Sequence, residues 1–570
     1  MTSRGLYIGD DVEHKRCVFL GDHLRNAHMH IIGRSDTGKT SHLIHMIRKD
    51  IVDGKGLCVI DMLGNLYPRL LAFAAHHNLS DRLVLFDPCD PDYCPGLNYL
   101  DTFGDSLDPA TVLETAMEGI MRVYREQNES VKPRWETYGP LSLMPLIKQK
   151  LTLLEVFPFV SPDIDVFRNR LLKKFKEFYL AHGWQEFDSK SSSSKKFELI
   201  EVVYNRGMRF WPNPQVRRIV GQVENFVDWR QAMDEGKVVL CNLGSTPTLT
   251  DKQSQMLGVM ILHQIINAAK TRRGKNLKRF YLYVDEFPQI LCKDFETAPD
   301  ILRNFGISLI LAHQRLGQLT RELQDIDVAS AVMANARVKE VFNISQEDAE
   351  AMAKEVFGAY IHGEDIKYQG NRTLLVPHQE LIKLKGKSKA SASGYSTGDS
   401  VTSYSEGIIF DADQYGGSRY SMGSATHGPS GGVHDSQVES DTEHEAFRTV
   451  YERESEPETP VFKSIEEKTW EYIRQILSQK QRESILLMPG IVPVSIRTPW
   501  LNDYFMEEEF VREFSQKVNT ENGILTHKEV DQLIELRYQE LLGDDFSKFW
   551  SAIEALPAAD IVEDDDDRFE

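Results

Sequence analysis

Between Leu6 and Glu355, short apolar runs alternate with segments of helical spacing. Seven runs read as strands: His28–Ile32, Leu57–Ile60, Leu83–Phe86, Val238–Asn242, Phe280–Val284, Ile307–Leu311 and Lys339–Ile344. Several are apolar at nearly every position. That pattern predicts parallel strands covered on both faces, where a half-solvated sheet would show strict alternation. Strands alternating with amphipathic helices place the chain in the α/β class.

The stretch from Phe103 to Gly236 breaks this alternation. Asp108-Pro109 reads as a helix start, with Asp as cap and Pro at the first helical position. Leu143–Leu154, Val166–Leu180 and Phe197–Met208 also have helical spacing. The expectation is an all-helical domain inserted into the sheet. From Gly386 to about His444, Ser, Gly and Tyr dominate, as in Ser391-Ala392-Ser393-Gly394-Tyr395. Such a segment has too little apolar surface to offset its ordering entropy and reads as a flexible linker. A helix around Ile465–Gln479, a strand pair Ser484–Met488 and Val492–Arg497, and helical residues after Trp500 follow. The resulting division is 1–104 (first part of the core), 105–235 (helical insert), 236–385 (second part of the core), 386–445 (linker), 446–500 (return to the core) and 501–570 (helical extension with an acidic tail).

A chain of 570 residues exceeds one hydrophobic core. No apolar run approaches 18 residues, and Met1–Asp11 has no signal-peptide core, so the expected location is the cytoplasm. The cysteines Cys17, Cys58, Cys89, Cys94, Cys241 and Cys292 are scattered, with no zinc spacing, and read as reduced structural thiols. The formal charge of −20 argues against a protein coated in nucleic acid, but is compatible with a ring holding DNA in a narrow basic channel.

The chemistry concentrates in three places. Gly33-Arg34-Ser35-Asp36-Thr37-Gly38-Lys39-Thr40 is a complete Walker A pattern between a strand and a helix. Its backbone amides, together with Ser41 at the start of the helix, would wrap the phosphates of ATP. Lys39 would reach the β- and γ-phosphates and Thr40 would ligate Mg²⁺. Phe280–Val284 ends in Asp285-Glu286, a Walker B arrangement. Asp285 would hold Mg²⁺, and Glu286 would be the general base toward water. Ile307–Leu311 runs on to Gln314, placed to sense the γ-phosphate. Arg303, on the preceding helix Ala298–Asn304, is the candidate arginine finger toward a neighbouring subunit, with Arg315 and Arg337 as rivals. A nucleotide kinase or metabolic transferase fits Glu286 and Gln314 poorly.

Walker A, Asp285-Glu286 and the strand Ser308–Gln314 resemble the HerA/FtsK superfamily of P-loop ATPases. Ala312-His313-Gln314-Arg315-Leu316-Gly317-Gln318-Leu319 is similar to the Ala-His-Gln-x-x-x-Gln-Leu element of type IV secretion ATPases. The placing of Arg303 before Gln314 is similar to that in coupling ATPases of the TraG/TraD kind. Gly56–Leu66, keeping Asp61 and Gly64, Leu85–Asn98, Asp234–Leu243, Asn335–Ala349 and Ile496–Trp500 add weaker likeness. The resemblance implies a RecA-like core, ATP and Mg²⁺ as ligands, and a ring, most often a hexamer. It further implies a conjugative DNA translocase working with a secretion channel or relaxosome, peripheral to a membrane complex. Membrane-anchored members carry transmembrane helices ahead of the nucleotide domain, whereas Walker A here starts at Gly33. The alternative implied is a HerA-like ring acting as scaffold or switch for a nuclease or other effector.

Two basic runs remain. Arg272–Arg279 reads either as a phosphate contact in a channel or as a solvated loop, and Arg168–Lys176 as a DNA or partner face or as an ordinary amphipathic helix. His28, His30, His42 and His45 around the P-loop read as structural. The acidic run Glu563–Glu570 reads as a solubilising end or a dock for a basic partner.

Overall fold

The computed structural model describes residues 5–124, 132–162, 164–190, 192–274, 277–291, 298–321, 328–358, 366–369, 371–390, 438–457 and 461–554. All seven apolar runs are strands. Their continuous burial is the physical reason: Met29–Ile32, Gly56–Asp61, Phe280–Asp285 and Ile307–His313 are buried at every position. Eleven strands form one sheet among the described residues. In chain order they are β1 (Leu6–Asp11), β2 (Cys17–Leu20), β3 (Met29–Ile32), β4 (Gly56–Asp61), β5 (Leu83–Phe86), β6 (Val238–Asn242), β7 (Phe280–Asp285), β8 (Ile307–His313), β9 (Val338–Val341), β10 (Glu483–Met488) and β11 (Ile491–Arg497).

The spatial order is β2-β1-β11-β10-β9-β3-β8-β7-β4-β6-β5. From β9 to β5 every neighbour is parallel. β10, β11, β1 and β2 extend that edge antiparallel. The first two strands were not read as strands; β2 is a short apolar run, Cys17–Leu20, but an edge strand in which only Leu20 is buried. The order places β8 between the P-loop strand β3 and the Walker B strand β7. All three therefore end on one rim, where ligands of open α/β sheets bind.

The helical spacings need three corrections. Leu143–Leu154 is not one helix: Lys132–Lys148 ends, Lys150 turns with φ 54°, and Leu153–Glu155 is a separate 3₁₀ turn capped by Thr152. Val166–Leu180 divides into Asp165–Leu172 and Phe178–Ser189. The helix from Ile465 stops at Leu477, two residues before the expected Gln479. Helix Pro109–Tyr124 does begin at the Asp108 cap, whose Oδ1 accepts the Ala110 amide at 2.7 Å.

The inserted helices share one hydrophobic cluster with a face of the sheet and with helix Asp251–Thr271. Helices His527–Leu542 and Phe546–Glu554 join the same cluster. Tyr538 and Phe549 pack around Trp211, with ring centroids 5.3 and 5.5 Å away. Arg537 bonds Glu155 at 3.0 Å and the Gly221 carbonyl at 2.7 Å.

Gly363–Lys463 forms a second compact unit. Within it, Asn371–Ala390 pairs antiparallel with Val438–Pro457. The linker boundaries read at Gly386 and 445 thus fall inside paired strands, and 371–385 belongs to this ribbon; residues 391–437 lie outside the described residues. The register sets Lys383 opposite Glu445. A one-residue slip would lose that match of charge.

Candidate active site

β3 delivers the chain into the loop Gly33–Gly38, which is fixed from three directions. The Gly33 amide donates to the His313 carbonyl at 3.2 Å, the Arg34 amide to Asn343 at 3.0 Å, and the Arg482 amide to the Thr37 carbonyl at 2.8 Å. Within the loop, Thr37 Oγ1 donates to the Arg34 carbonyl at 2.8 Å. A Cβ at Gly33 would stand 2.6 Å from Phe342 Cβ, and Gly38 has φ 103°, so both positions require glycine. Helix Lys39–Val52 starts at Gly38 without a side-chain cap. Its first amides are therefore left for an anion.

Lys39 Nζ lies 3.1 Å from Asp285 Oδ1, and both groups are buried. Glu286 follows with φ 55°, a left-handed conformation that is costly for a non-glycine residue and typical of functional turns. Its carboxyl is buried, and Gln318 Nε2 donates to its Oε1 at 2.6 Å. Burial pushes the Glu286 pKa up and neighbouring Asp285 adds to the rise, while Lys39 and hydrogen bonds from Gln318 and Gln314 oppose it. Gln314 also accepts from Ser35 Oγ at 3.3 Å, which joins the end of β8 to the phosphate loop.

Lys39, Ser35, Asp285, Glu286 and Gln314 thus converge on one rim. Thr40 and Ser41 begin the adjoining helix, and both are half-buried. Asp285 Oδ2 and Glu286 Oε2 are buried without a hydrogen-bond partner. Unpaired carboxylate oxygens beside a lysine and a helix start suit a hydrated Mg²⁺ and a phosphate chain. No group of three or more His, Cys, Asp or Glu side chains that could hold a metal ion occurs among the described residues.

Arg303 is exposed and lies outside this group. It precedes β8, whereas Gln314 follows it, so the length of a seven-residue strand, roughly 20 Å, separates them. Arg337 lies at the same far edge, before β9, and Arg315 is exposed next to Gln314. Sequence reasoning overlooked Gln318 as a support for Glu286. The available signal was the Gln-x-x-x-Gln spacing, which does not reveal that the second Gln reaches the Walker B carboxylate.

The surrounding polar residues have structural partners. Asp61, at the end of β4 and in register with Asp285, accepts the amides of Leu63, Gly64, Leu66 and Tyr67 at 2.7–3.2 Å and so shapes its own loop. His313 Nδ1 lies 2.9 Å from the Arg315 carbonyl, and its Nε2 lies 2.7 Å from His30 Nε2. The carbonyl requires the proton on His313 Nδ1, so His30 donates across the pair. Burial pushes His30 down to about 3 and His313 well below its ordinary value, keeping both neutral. His42 Nε2 stands 3.1 Å from Glu340 Oε2, but the angles do not make a hydrogen bond; Glu340 Oε1 instead accepts from Ser484 at 2.7 Å.

The basic runs are largely engaged internally. Arg272 is buried and donates to Asp234 at 2.9 Å, the Phe305 carbonyl at 2.7 Å and the Lys278 carbonyl at 3.0 Å. Arg168 is fully buried, reaches the Phe159 and Ser161 carbonyls, and lies over the Trp184 and Phe187 rings. Lys275, Asn276 and the acidic tail lie outside the described residues.

The parallel core with the P-loop strand one strand removed from Walker B, and the grouping of Lys39 with Asp285 and Glu286, define a RecA-like P-loop NTPase fold. Residues 279–391 match the family model for the TraM recognition site of TraD and TraG. None of the curated proteins matches the chain. Among solved structures, the unbound monoclinic form of the bacterial conjugative coupling protein TrwBdeltaN70 is 10% identical with a TM-score of 0.48, covering 89% of this chain and 91% of that one. TrwB in complex with ADP and Mg²⁺ is 10% identical with a TM-score of 0.45, covering 85% and 88%. VirB4 of Thermoanaerobacter pseudethanolicus is 14% identical with a TM-score of 0.38, covering 62% and 88%. The fold assignment rests on the sheet order and the phosphate loop rather than on these likenesses. No described helix is long and apolar enough to cross a membrane.

Proposed function

We propose that this chain is an ATP hydrolase that moves DNA, of the coupling kind used in conjugative type IV secretion. The observation that carries the reading is the placement of Glu286: buried, raised in pKa, held by Gln318, and next to the Asp285–Lys39 pair. Nucleotide kinases usually transfer phosphate without such a water-activating carboxylate.

Lys39 and the loop amides bind the β- and γ-phosphates, while Thr40 and Asp285 would hold Mg²⁺, which when bound would neutralise charge on the transferring phosphoryl group. Glu286 accepts a proton from water as the water oxygen bonds to the γ-phosphorus. The bond from that phosphorus to the bridging oxygen breaks, and ADP leaves with the electron pair. Gln314 reports the presence of the γ-phosphate to β8 through Ser35. Arg303, remote from the site in its own chain, serves the site of the next subunit in a ring, which we take to be a hexamer. Its partners are DNA and the proteins of a secretion channel or relaxosome, at the edge of a membrane complex.

The test is ATP hydrolysis with and without single- and double-stranded DNA, with Glu286→Gln as control. DNA stimulation that disappears in the variant is the expected result. Robust hydrolysis indifferent to either DNA would overturn the motor and favour a ring that serves as scaffold for an effector.

A further inference from the structure

Against Arg482, whose amide bonds the phosphate loop, stands an aromatic ring that the proposed hydrolysis does not use. Trp500 is 73% exposed, although tryptophan is ordinarily well covered. It is nevertheless anchored. Arg482 places its guanidinium carbon 5.0 Å from the Trp500 ring centroid, covering one face.

Arg482 is itself built into the loop. Its amide donates to the Thr37 carbonyl at 2.8 Å, and its carbonyl accepts the Thr498 amide at 2.8 Å. Its side chain donates to the Thr498 carbonyl through Nε at 3.1 Å and Nη2 at 2.5 Å. Arg482 has φ 69°, and a Cβ added to Gly38 would lie 3.2 Å from its Cγ. Arginine and indole therefore form one platform attached to the last residues of the loop before Lys39. Those residues adjoin the start of the helix, where a bound nucleotide turns from phosphate to ribose.

We propose that Trp500, backed by Arg482, is the stacking platform for the purine base of the nucleotide. This rests on the reading of Gly33–Ser41 as a nucleoside triphosphate site. Cation–π contact with the arginine holds the indole plane, and the ring face away from the arginine receives the base. A bare aromatic face carries no donor–acceptor code, so the platform accepts adenine and guanine alike.

Binding of Mg-ATP, Mg-GTP and Mg-tripolyphosphate to the full chain, measured by calorimetry, tests this. The wild type should bind both nucleotides about tenfold or more tightly than tripolyphosphate, the scale of one base–aromatic stack. Trp500→Ala should abolish that advantage and leave tripolyphosphate binding unchanged, and Trp500→Phe should keep part of it. Lys39→Ala should weaken all three ligands. An unchanged nucleotide-to-tripolyphosphate ratio in Trp500→Ala overturns the platform while leaving the phosphate site intact. Failure of the wild type to bind any of the three, or indifference of binding to Lys39→Ala, overturns the phosphate site and the platform with it.

Discussion

Gln318 Nε2 donates to Glu286 Oε1 at 2.6 Å, across 32 residues of sequence. The same amide's Oε1 accepts the Arg315 backbone amide at 3.1 Å, so its orientation is set. A glutamine at the first turn after β8 thus holds the carboxylate of the residue that follows β7.

Removing that hold should impair the chemical step more than binding. Gln318→Leu is expected to lower kcat by about tenfold, short of the roughly 100- to 10,000-fold associated with losing a general base outright, with little change in KM. The hydrogen bond favours the charged carboxylate, so its loss raises the Glu286 pKa further. The acidic limb of the pH–kcat profile should move to higher pH. A profile superimposable on the wild type would show that Gln318 does not position the base.

Glu286 should also lower stability at neutral pH. Its pKa is raised by burial in the folded chain. An acid with a raised folded pKa binds more protons folded than unfolded, so its contribution to stability falls as pH climbs from the unfolded toward the folded pKa. Glu286→Gln removes the buried charge and keeps an oxygen for Gln318. Its Tm should exceed the wild type's at pH 7, and the difference should shrink as pH falls. Equal Tm values at both pH values would contradict the burial argument.

Arg272 and Arg273 are neighbours with opposite prospects. Arg272→Ala leaves the Phe305 and Lys278 carbonyls without their donor inside the fold and should cost about 2–4 kcal/mol in urea unfolding. Arg273 is exposed, and Arg273→Ala should lie within about 0.5 kcal/mol of wild type. Equal effects would mean that Arg272 is not the clasp between the loop before β7 and the turn before β8.

Arg303 is exposed at the edge opposite Lys39, beside Arg279, whose guanidinium it helps to push down in pKa after burial. If it acts on a neighbour's nucleotide, Arg303→Ala should retain ATP binding and assembly and lose hydrolysis. Mixing it with Lys39→Ala should restore activity, because a junction pairing an intact Lys39 with an intact Arg303 re-forms. Normal hydrolysis by assembled Arg303→Ala would sink the trans assignment.

The seven parallel strands were legible in the sequence because burial on both faces leaves little room for polar residues, and Met29–Ile32 and Ile307–His313 show the result. The phosphate loop was legible because its demands are local: Gly33 and Gly38 have no space or no permitted φ for a side chain, and Lys39 follows at fixed spacing. Tertiary structure alone decided what crossed between distant segments. It joined Gln318 to Glu286, set Arg482 against Thr37 and Gly38 with Trp500 on its guanidinium, and turned Arg272 inward. It also docked Tyr538 on Trp211 and ended the helix at Lys148 that spacing had continued to Leu154. Hydrophobic period records which face of an element is covered; it carries no record of which remote element covers it, because that is settled by strand order and packing.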